Sequence, residues 1–546
     1  MKVRQISTLE KVLKQTDADK IHEFDSFSAF RNERFSYQII VKNESNEDKT
    51  AHIEIDSKLE SIITIGRLEY VYVNRPSGLD EMNPDDFVTM TPGYVPDAIF
   101  PIENGDVTLP ANENTPLLVT VNADKFIADA GTYDIDVKLK SDSETISKRF
   151  TLEIIDALLP EQTLMYTNWF HCDAIALEHN VKVFSEKFWE LTEKYMLAAA
   201  DIGMNMILTP IFTPPLDTEV GGERLTVQLV DIEKNGDKYE FEFSKLYRWI
   251  ALAKKCGMKY FEMAHLFTQW GAEFTPKIVV KINGKDEKLF GWNVAADDKS
   301  YEDFLSQFLP ALTEALKKAD VDNVTFFHIS DEPSADKALV QYAKCRSLTE
   351  KYIKGFVIMD ALSNPDFYET GTVTYPVPDT SSVKKFMKFD IKDRWTYYCC
   401  GQCINLSNRF TAMNGWMTRL IGAQFYKYDI HGFLHWGFNH YFSILSKELI
   451  NPYEKNDYCN FPTGDSFIVY PYKDGVVPSL RGQLFYDALQ DQRALILLGD
   501  MIGRENAIAI VEKEAGAELE FDKFPHNAEF ILNWRMKVNE AIKASL

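Results

Sequence analysis

Two adjacent carboxylates, Asp331 and Glu332, stand where an apolar run, Val324-Thr-Phe-Phe-His-Ile-Ser330, gives way to Pro333. Carboxylates are expensive to bury unless they are paired or used. An acidic pair closing a run that reads as a buried strand therefore marks a candidate acid/base site. The plainer reading is a helix start, in which Ser330 or Asp331 caps free backbone amides ahead of the proline. The choice depends on the elements that carry the pair.

Glycoside hydrolysis normally sets two carboxyl groups about 5–10 Å apart, on either side of a sugar ring. Neighbouring residues at one strand end cannot readily flank a ring in that way. Their spacing points to divided labour instead. On a sugar substrate one carboxyl would move the proton, while the other would hold a 2-acetamido group whose oxygen attacks the anomeric carbon. The holding carboxylate also stabilises the oxazolinium that results.

The elements around the pair fall into three parts. From Ser36 to Asp156 short runs alternate apolar and polar residues, among them Tyr37-Gln-Ile-Ile-Val41, Leu117-Leu-Val-Thr-Val121 and Tyr133-Asp-Ile-Asp-Val137. This period of two predicts an N-terminal antiparallel β-sandwich over residues 1–158, with Asn74 to Pro101 as a long proline-rich loop. After Leu159-Pro160, strand-like runs alternate with amphipathic helical segments. Strands are expected near Leu164–Phe170, Met204–Leu208, Lys259–Met263, Val324–Ile329, Phe356–Met359, Thr372–Tyr375, Trp395–Cys399 and Gly432–Trp436. That rhythm predicts a (β/α)8 TIM-type barrel over 159–464, followed by a C-terminal helical and strand extension over 465–546 packed on its flank. Insertions at Glu219–Phe243 and Phe267–Asp298 should overhang the mouth, the second carrying Trp270 and Trp292 as a lid or a surface hairpin. The fold class is thus multidomain, β plus α/β.

In such a barrel the residues just past each strand converge. They are Asn168, Trp169, His171 and Asp173; His265 and Gln269; Asp331 and Glu332; and Asp360, Asp379, Tyr397, Tyr398, Trp436, Asn439 and His440. Aromatic faces stack on sugar C–H faces while amides and carboxylates take hydroxyls, so this inventory suits a carbohydrate. No glycine-rich phosphate loop is present.

Composition narrows the partners. With 59 Lys plus Arg against 82 Asp plus Glu, the formal charge of −23 opposes nucleic acid and anionic membrane surfaces. The N-terminal residues lack the apolar core of a secretory signal and no window approaches a membrane span, so a cytoplasmic location without membrane insertion is expected. Seven cysteines over 546 residues fit reduced thiols. Cys399, Cys400 and Cys403 form a C-C-x-x-C cluster. It lacks a second pair or a fourth ligand, so buried thiols are expected rather than a metal site.

Three stretches share a further likeness: His328-Ile-Ser-Asp-Glu-Pro333, Trp395-Thr-Tyr-Tyr-Cys-Cys-Gly401 with Asn408-Arg-Phe410, and Gly432-Phe-Leu-His-Trp-Gly-Phe-Asn439. Together with Ser479-Leu-Arg-Gly-Gln-Leu-Phe-Tyr-Asp-Ala-Leu-Gln-Asp491 they resemble glycoside hydrolase family 123. The resemblance runs from about residue 160 to 500, and the leading β-sandwich fits it. It implies an exo-acting, retaining β-N-acetylgalactosaminidase that uses substrate assistance and neither metal nor organic cofactor. A glycan ending in β-linked N-acetylgalactosamine, from glycolipid or glycoprotein, is the implied partner. By that likeness Asp331 orients the acetamido group and Glu332 is the acid/base. Tyr398 bonds the acetamido oxygen, with Tyr397 able to exchange places with it, and Trp436 is the stacking platform. His435 stands where the family often has another aromatic. Other readings are a β-N-acetylglucosaminidase, a hydrolase whose distant second carboxylate is Asp360 or Asp379, and a non-catalytic sugar-binding barrel.

Overall fold

The structure, a computed structural model, describes residues 1–78, 82–124, 126–142, 144–333, 336–455 and 461–546. The N-terminal part is two five-stranded sheets packed face to face. Alternation builds its core. Tyr37, Ile39 and Val41 from one sheet meet Ile135, Val137, Phe150 and Leu152 from the other, and the Tyr37 and Phe150 rings stack at 4.4 Å. Four strands lie outside the expected set, Lys2–Ser7, Ser26–Phe30, Gly93–Pro101 and Asp106–Leu109, and two of them form the edges of one sheet. Lys2–Ser7 pairs with Phe35–Lys42 at one edge, and Gly93–Pro101 pairs with Ile63–Val73 at the other. The segment expected as a long loop is therefore partly an edge strand. At an edge, Pro96 and Pro101 can lack an amide hydrogen without breaking the ladder.

The second part carries eight parallel strands, three in one sheet and five in the other. In chain order they are β1 (Met165–Asn168), β2 (Met206–Thr209), β3 (Tyr260–Met263), β4 (Thr325–Phe327), β5 (Val357–Ala361), β6 (Tyr375–Val377), β7 (Arg394–Tyr397) and β8 (Ile430–His435). The sheet orders are β1-β8-β7 and β2-β3-β4-β5-β6, with helices between successive strands. All eight expected strands are present, each shifted by a few residues. One apolar cluster draws on every strand, through Met165, Leu208, Tyr260, Phe326, Met359, Val377, Tyr397 and Leu434.

Both insertions contain hairpins, as expected for the first and as one of the two readings left open for the second. Asp231–Asn235 with Lys238–Glu242, and Ile278–Ile282 with Lys285–Phe290, join side by side into a four-stranded sheet. The tail does more than cover a flank. Ser479 caps the helix Leu480–Ile502, accepting from the Gly482 amide at 3.0 Å. The fully buried Arg481 then donates to Asp97 in the edge strand Gly93–Pro101 at 2.8 Å. It also reaches the carbonyls of Arg409, Gly464 and Phe467. Gly464 has φ +88°, and a Cβ there would stand 2.7 Å from this guanidinium. Arg535 bridges Asp491 and Glu33 at 2.8 and 2.7 Å, tying the last helix to the sandwich. Such buried charges persist only when paired and hydrogen-bonded, as here. Among the described residues, no helix is long and apolar enough to cross a membrane.

Candidate active site

A cleft opens at the carboxyl ends of the parallel strands. It is lined by Trp169 after β1, Leu216 and Asp217 after β2, Trp270 after β3, and Asp331 and Glu332 after β4. Ala361 in β5, Tyr397 in β7, Leu434 in β8, and Cys399, Cys400, Trp436 and Phe461 complete the wall. A larger groove beside the insertion hairpins, lined by Phe184, Phe241 and several acids, shares none of these residues.

The pair is held by backbone rather than by a helix start. The loop after β3 runs alongside the end of β4: Leu266 N–H donates to His328 O, Phe267 N–H to Ile329 O, and Trp270 N–H to Asp331 O at 2.8 Å. Ser330 spends its hydroxyl on Thr268 O at 2.8 Å, and the chain is still non-helical at Pro333, ahead of the helix described over Asp336–Thr349. Neither Ser330 nor Asp331 stands at its cap. Glu332 has φ +43°, a left-handed conformation unusual for a glutamate, and cleft neighbours Asp217 and Trp270 share it at +41° and +61°. Strain of this kind persists where the surroundings over-determine it, and it clusters at functional sites.

Glu332 Oε1 accepts from the Tyr397 hydroxyl at 2.6 Å. Burial pushes the Glu332 carboxyl up, the Tyr397 bond pulls it back, and the charge of Asp379 raises it further. Asp331 is raised well above the usual range by burial, then by Glu332; His328 alone opposes this, while Asp360 and Asp217 add to it. The two titrate as a pair that retains a proton toward neutrality. Asp217, pushed up to about 6 by burial, is a third acid on the same wall.

Beneath the pair lies a polar layer. His328 Nε2 meets Glu262 Oε2 at 2.9 Å, and its Nδ1 stands 3.4 Å from Asp360 Oδ1. Thr167 and Trp169 also donate to Glu262. Burial opposes charge on His328, but the bonds and charges of Asp360 and Glu262 outweigh it and lift the imidazole to about 10. His265, His328 and Asp360 bring ligand-type atoms close together. The two rings, however, stack 4.4 Å apart at 19°. A metal lies in the plane of each imidazole that binds it, so nearly parallel rings do not converge on one ion. His328 reads as a buried cation.

Of the residues expected in the pocket, Trp169, Asp331, Glu332, Tyr397 and Trp436 come together. Tyr398 does not. Trp395 and Tyr397 belong to the inner cluster of the strands, so Tyr398 faces the outer core, packed on Phe433 and His435 at 4.9 and 5.5 Å. Asn168 is buried between Tyr166 and Arg409. The Asn439 side-chain amide braces the His171 backbone, accepting from its N–H at 2.8 Å and donating to its carbonyl at 3.0 Å, and Arg224 donates to His171 Nδ1. Burial, then Arg224, lowers His171 to about 3. His265 lies under Trp169, both ring nitrogens without a hydrogen-bond partner. Asp360 is fully buried, accepting from Ile329 N–H at 3.0 and 3.2 Å and from Tyr342. Of the insertion tryptophans, Trp270 reaches the cleft; Trp292 packs on Phe274 over a separate pit beside Pro214 and Arg224. Cys403 is buried, as expected, whereas Cys399 and Cys400 are partly exposed on the cleft wall.

Four residues escaped the sequence reading. Asp217, Phe461 and Asp465 come from long loops with no pattern to mark them. Asp465 is fully buried and accepts from Trp436 Nε1 at 3.0 Å, fixing the indole. Glu262 did carry a signal, a charge within the apolar run Tyr260–Met263.

No curated protein matches the chain. A solved family 123 glycoside hydrolase from Clostridium perfringens, studied for glycolipid glycan hydrolysis, aligns over 100% of this chain and 97% of its own, at TM-score 0.74 and 14% identity. A Parabacteroides merdae β-glucuronidase aligns over 85% of this chain and 51% of its own, at TM-score 0.28 and 9% identity, too loosely to bear on the fold. The model of the glycoside hydrolase 123 catalytic domain matches residues 169–498, which begins directly after β1 and takes in β2 to β8. The chain therefore belongs to glycoside hydrolase family 123, and its chemistry is glycoside hydrolysis.

Proposed function

We propose that this protein is an exo-acting, retaining β-N-acetylgalactosaminidase that uses the substrate's own 2-acetamido oxygen as nucleophile. The observation that carries the reading is the adjacent pair Asp331-Glu332, with Glu332 bonded to Tyr397 across the cleft. The scaffold is read as a closed (β/α)8 barrel, supported by one inner cluster fed by all eight strands. The three parts are read as 1–158, 159–464 and 465–546.

In this scheme Tyr397 occupies one oxygen of a protonated Glu332, and the other oxygen carries the proton to the leaving glycosidic oxygen. Asp331 accepts the acetamido N–H and turns the amide oxygen toward C1. As the C1–O bond to the aglycone breaks, the amide oxygen bonds to C1, and Asp331 faces the positive charge of the oxazolinium. Glu332, now a carboxylate, takes a proton from water, which opens the ring on the same face and returns a β-sugar. Trp436 supplies the stacking face, held by Asp465. The scheme calls on no metal or organic cofactor. The substrate is a glycan ending in β-N-acetylgalactosamine, the glycolipid class named for the Clostridium perfringens relative being the first to try. Asp360 is poorly suited to act as a distant nucleophile, because its oxygens are committed to Ile329 and Tyr342.

Release of nitrophenol from β-linked N-acetylgalactosaminide and N-acetylglucosaminide tests the reading. Faster turnover of the galacto substrate is expected. Preference for the gluco substrate would overturn the specificity, and tight binding without turnover of either would overturn the enzyme.

A further inference from the structure

We propose that Asp217 grips the C3–C4 edge of the terminal sugar and so reads the configuration at C4. The inference rests on the site being that of a 2-acetamido-sugar hydrolase.

Asp217 lines the cleft beside Asp331 and Trp270. Its loop after β2 is pinned from the loop after β8: Leu445 N–H donates to Oδ2 at 2.9 Å and the Ser446 hydroxyl to the Asp217 carbonyl at 2.6 Å. Asp217, Leu445 and Ser446 all have left-handed backbones, with φ of +41°, +62° and +51°. Two loops are thus strained to present one carboxyl, as at sites where position matters more than stability. The neighbouring His440 Nε2 is 3.8 Å away, and burial holds that imidazole well below its usual range, so it brings no positive charge. A carboxylate offers about four acceptor positions, and the one bond on Oδ2 leaves most of them for a ligand.

The order of the acids along the wall assigns the contact. Along the wall from β2 to β7 the order is Asp217 after β2, Asp331 after β4, its carbonyl held by the Trp270 N–H, and Glu332 turned across to the Tyr397 hydroxyl at the end of β7. With Glu332 at the C1 oxygen and Asp331 at the C2 acetamido group, Asp217 falls next, at C3 and C4. Inverting C4 moves its hydroxyl away from that carboxylate. A site built to bond a hydroxyl discriminates strongly against substrates that lack it or misplace it.

The test is a cycle between enzyme and substrate. kcat/KM is measured for 4-nitrophenyl β-N-acetylgalactosaminide and its 4-deoxy analogue, with wild type, D217A and D217N, alongside melting temperature. D217N keeps an acceptor oxygen for Leu445 and guards against loop collapse. Wild type should lose about 10- to 100-fold on deoxygenation, as expected for a bond to a charged group. D217A should lose as much on the parent substrate and less than about threefold more on the deoxy sugar, with D217N between. Losses that multiply, or full activity in D217A, overturn the assignment while leaving the parent reading intact. A wild type that turns over no 2-acetamido β-glycoside and binds no thiazoline analogue of the oxazoline overturns the parent reading and this one with it.

Discussion

The Tyr397 hydroxyl donates to Glu332 Oε1 at 2.6 Å, joining the end of β7 to the acid after β4 across the mouth of the cleft. Its neighbour Tyr398 is fully buried on the other face of the strand. Tyr397→Phe should therefore lower kcat about tenfold with little change in melting temperature, since one bond to a carboxyl is lost. Tyr398→Phe should keep kcat within about twofold. Steady-state kinetics on the two variants decide this, and the reverse pattern would return the role to Tyr398.

The pH profile follows from the same bond. Glu332 works in its acid form, so the rate falls as pH rises through its raised pKa. Tyr397 lowers that pKa, so Tyr397→Phe should move the alkaline limb of kcat/KM to higher pH. A carboxyl raised on folding contributes stability in full below its unfolded value, about 4 for Glu, and loses it as pH rises through the folded value. Glu332→Gln does not titrate. It should match wild type in melting temperature below about pH 4 and exceed it increasingly above the usual carboxylate range. A constant gap across pH would contradict the linkage.

Asp465 acts through Trp436. Burial lifts this carboxyl to about 7, while the Trp436 N–H, Arg409 and Arg481 pull it down. Asp465→Ala leaves the indole N–H without its acceptor, and KM should rise about tenfold, the size expected for a lost buried bond. Asp465→Asn keeps an acceptor and should hold KM within about threefold. Equal effects in the two variants would separate Asp465 from the stacking platform.

His328 holds two buried carboxylates apart. Its replacement by Gln should cost about 3–5 kcal/mol in denaturant unfolding, because breaking a buried ion pair strands its partners. Adding Glu262→Gln should recover part of that loss. If the double variant were less stable by the sum of both changes, the imidazolium would not be the link.

The strands of the α/β part were legible because each is a short apolar run ahead of a helical pattern, and β4 announced its acids. Which way a side chain turns was harder to read. Tyr397 and Tyr398 differ only by alternation, and the mark was Trp395, an inner residue two positions before Tyr397. Asn168, His171 and Asn439 were gathered as strand-end polar groups. Standing at a strand end does not separate a ligand contact from a loop brace, and these residues brace. Asp217 reaches the cleft, and Asp465 the back of Trp436, from long loops whose paths depend on distant partners such as Leu445 and Arg481. The proline-bearing edge strand Gly93–Pro101 was hidden for another reason, since proline weighs against a strand unless the edge is known.

The central claim, that the acetamido oxygen attacks while Glu332 supplies the proton, is tested most directly by weakening that oxygen. 4-Nitrophenyl β-N-acetylgalactosaminides bearing acetyl, fluoroacetyl, difluoroacetyl and trifluoroacetyl groups can be compared by kcat/KM. Fluorine draws electron density from the amide oxygen, so the rate should fall steeply along the series, by a factor on the order of 10² or more from acetyl to trifluoroacetyl, as a nucleophile in the transition state requires. A rate that stays level along the series would contradict the account.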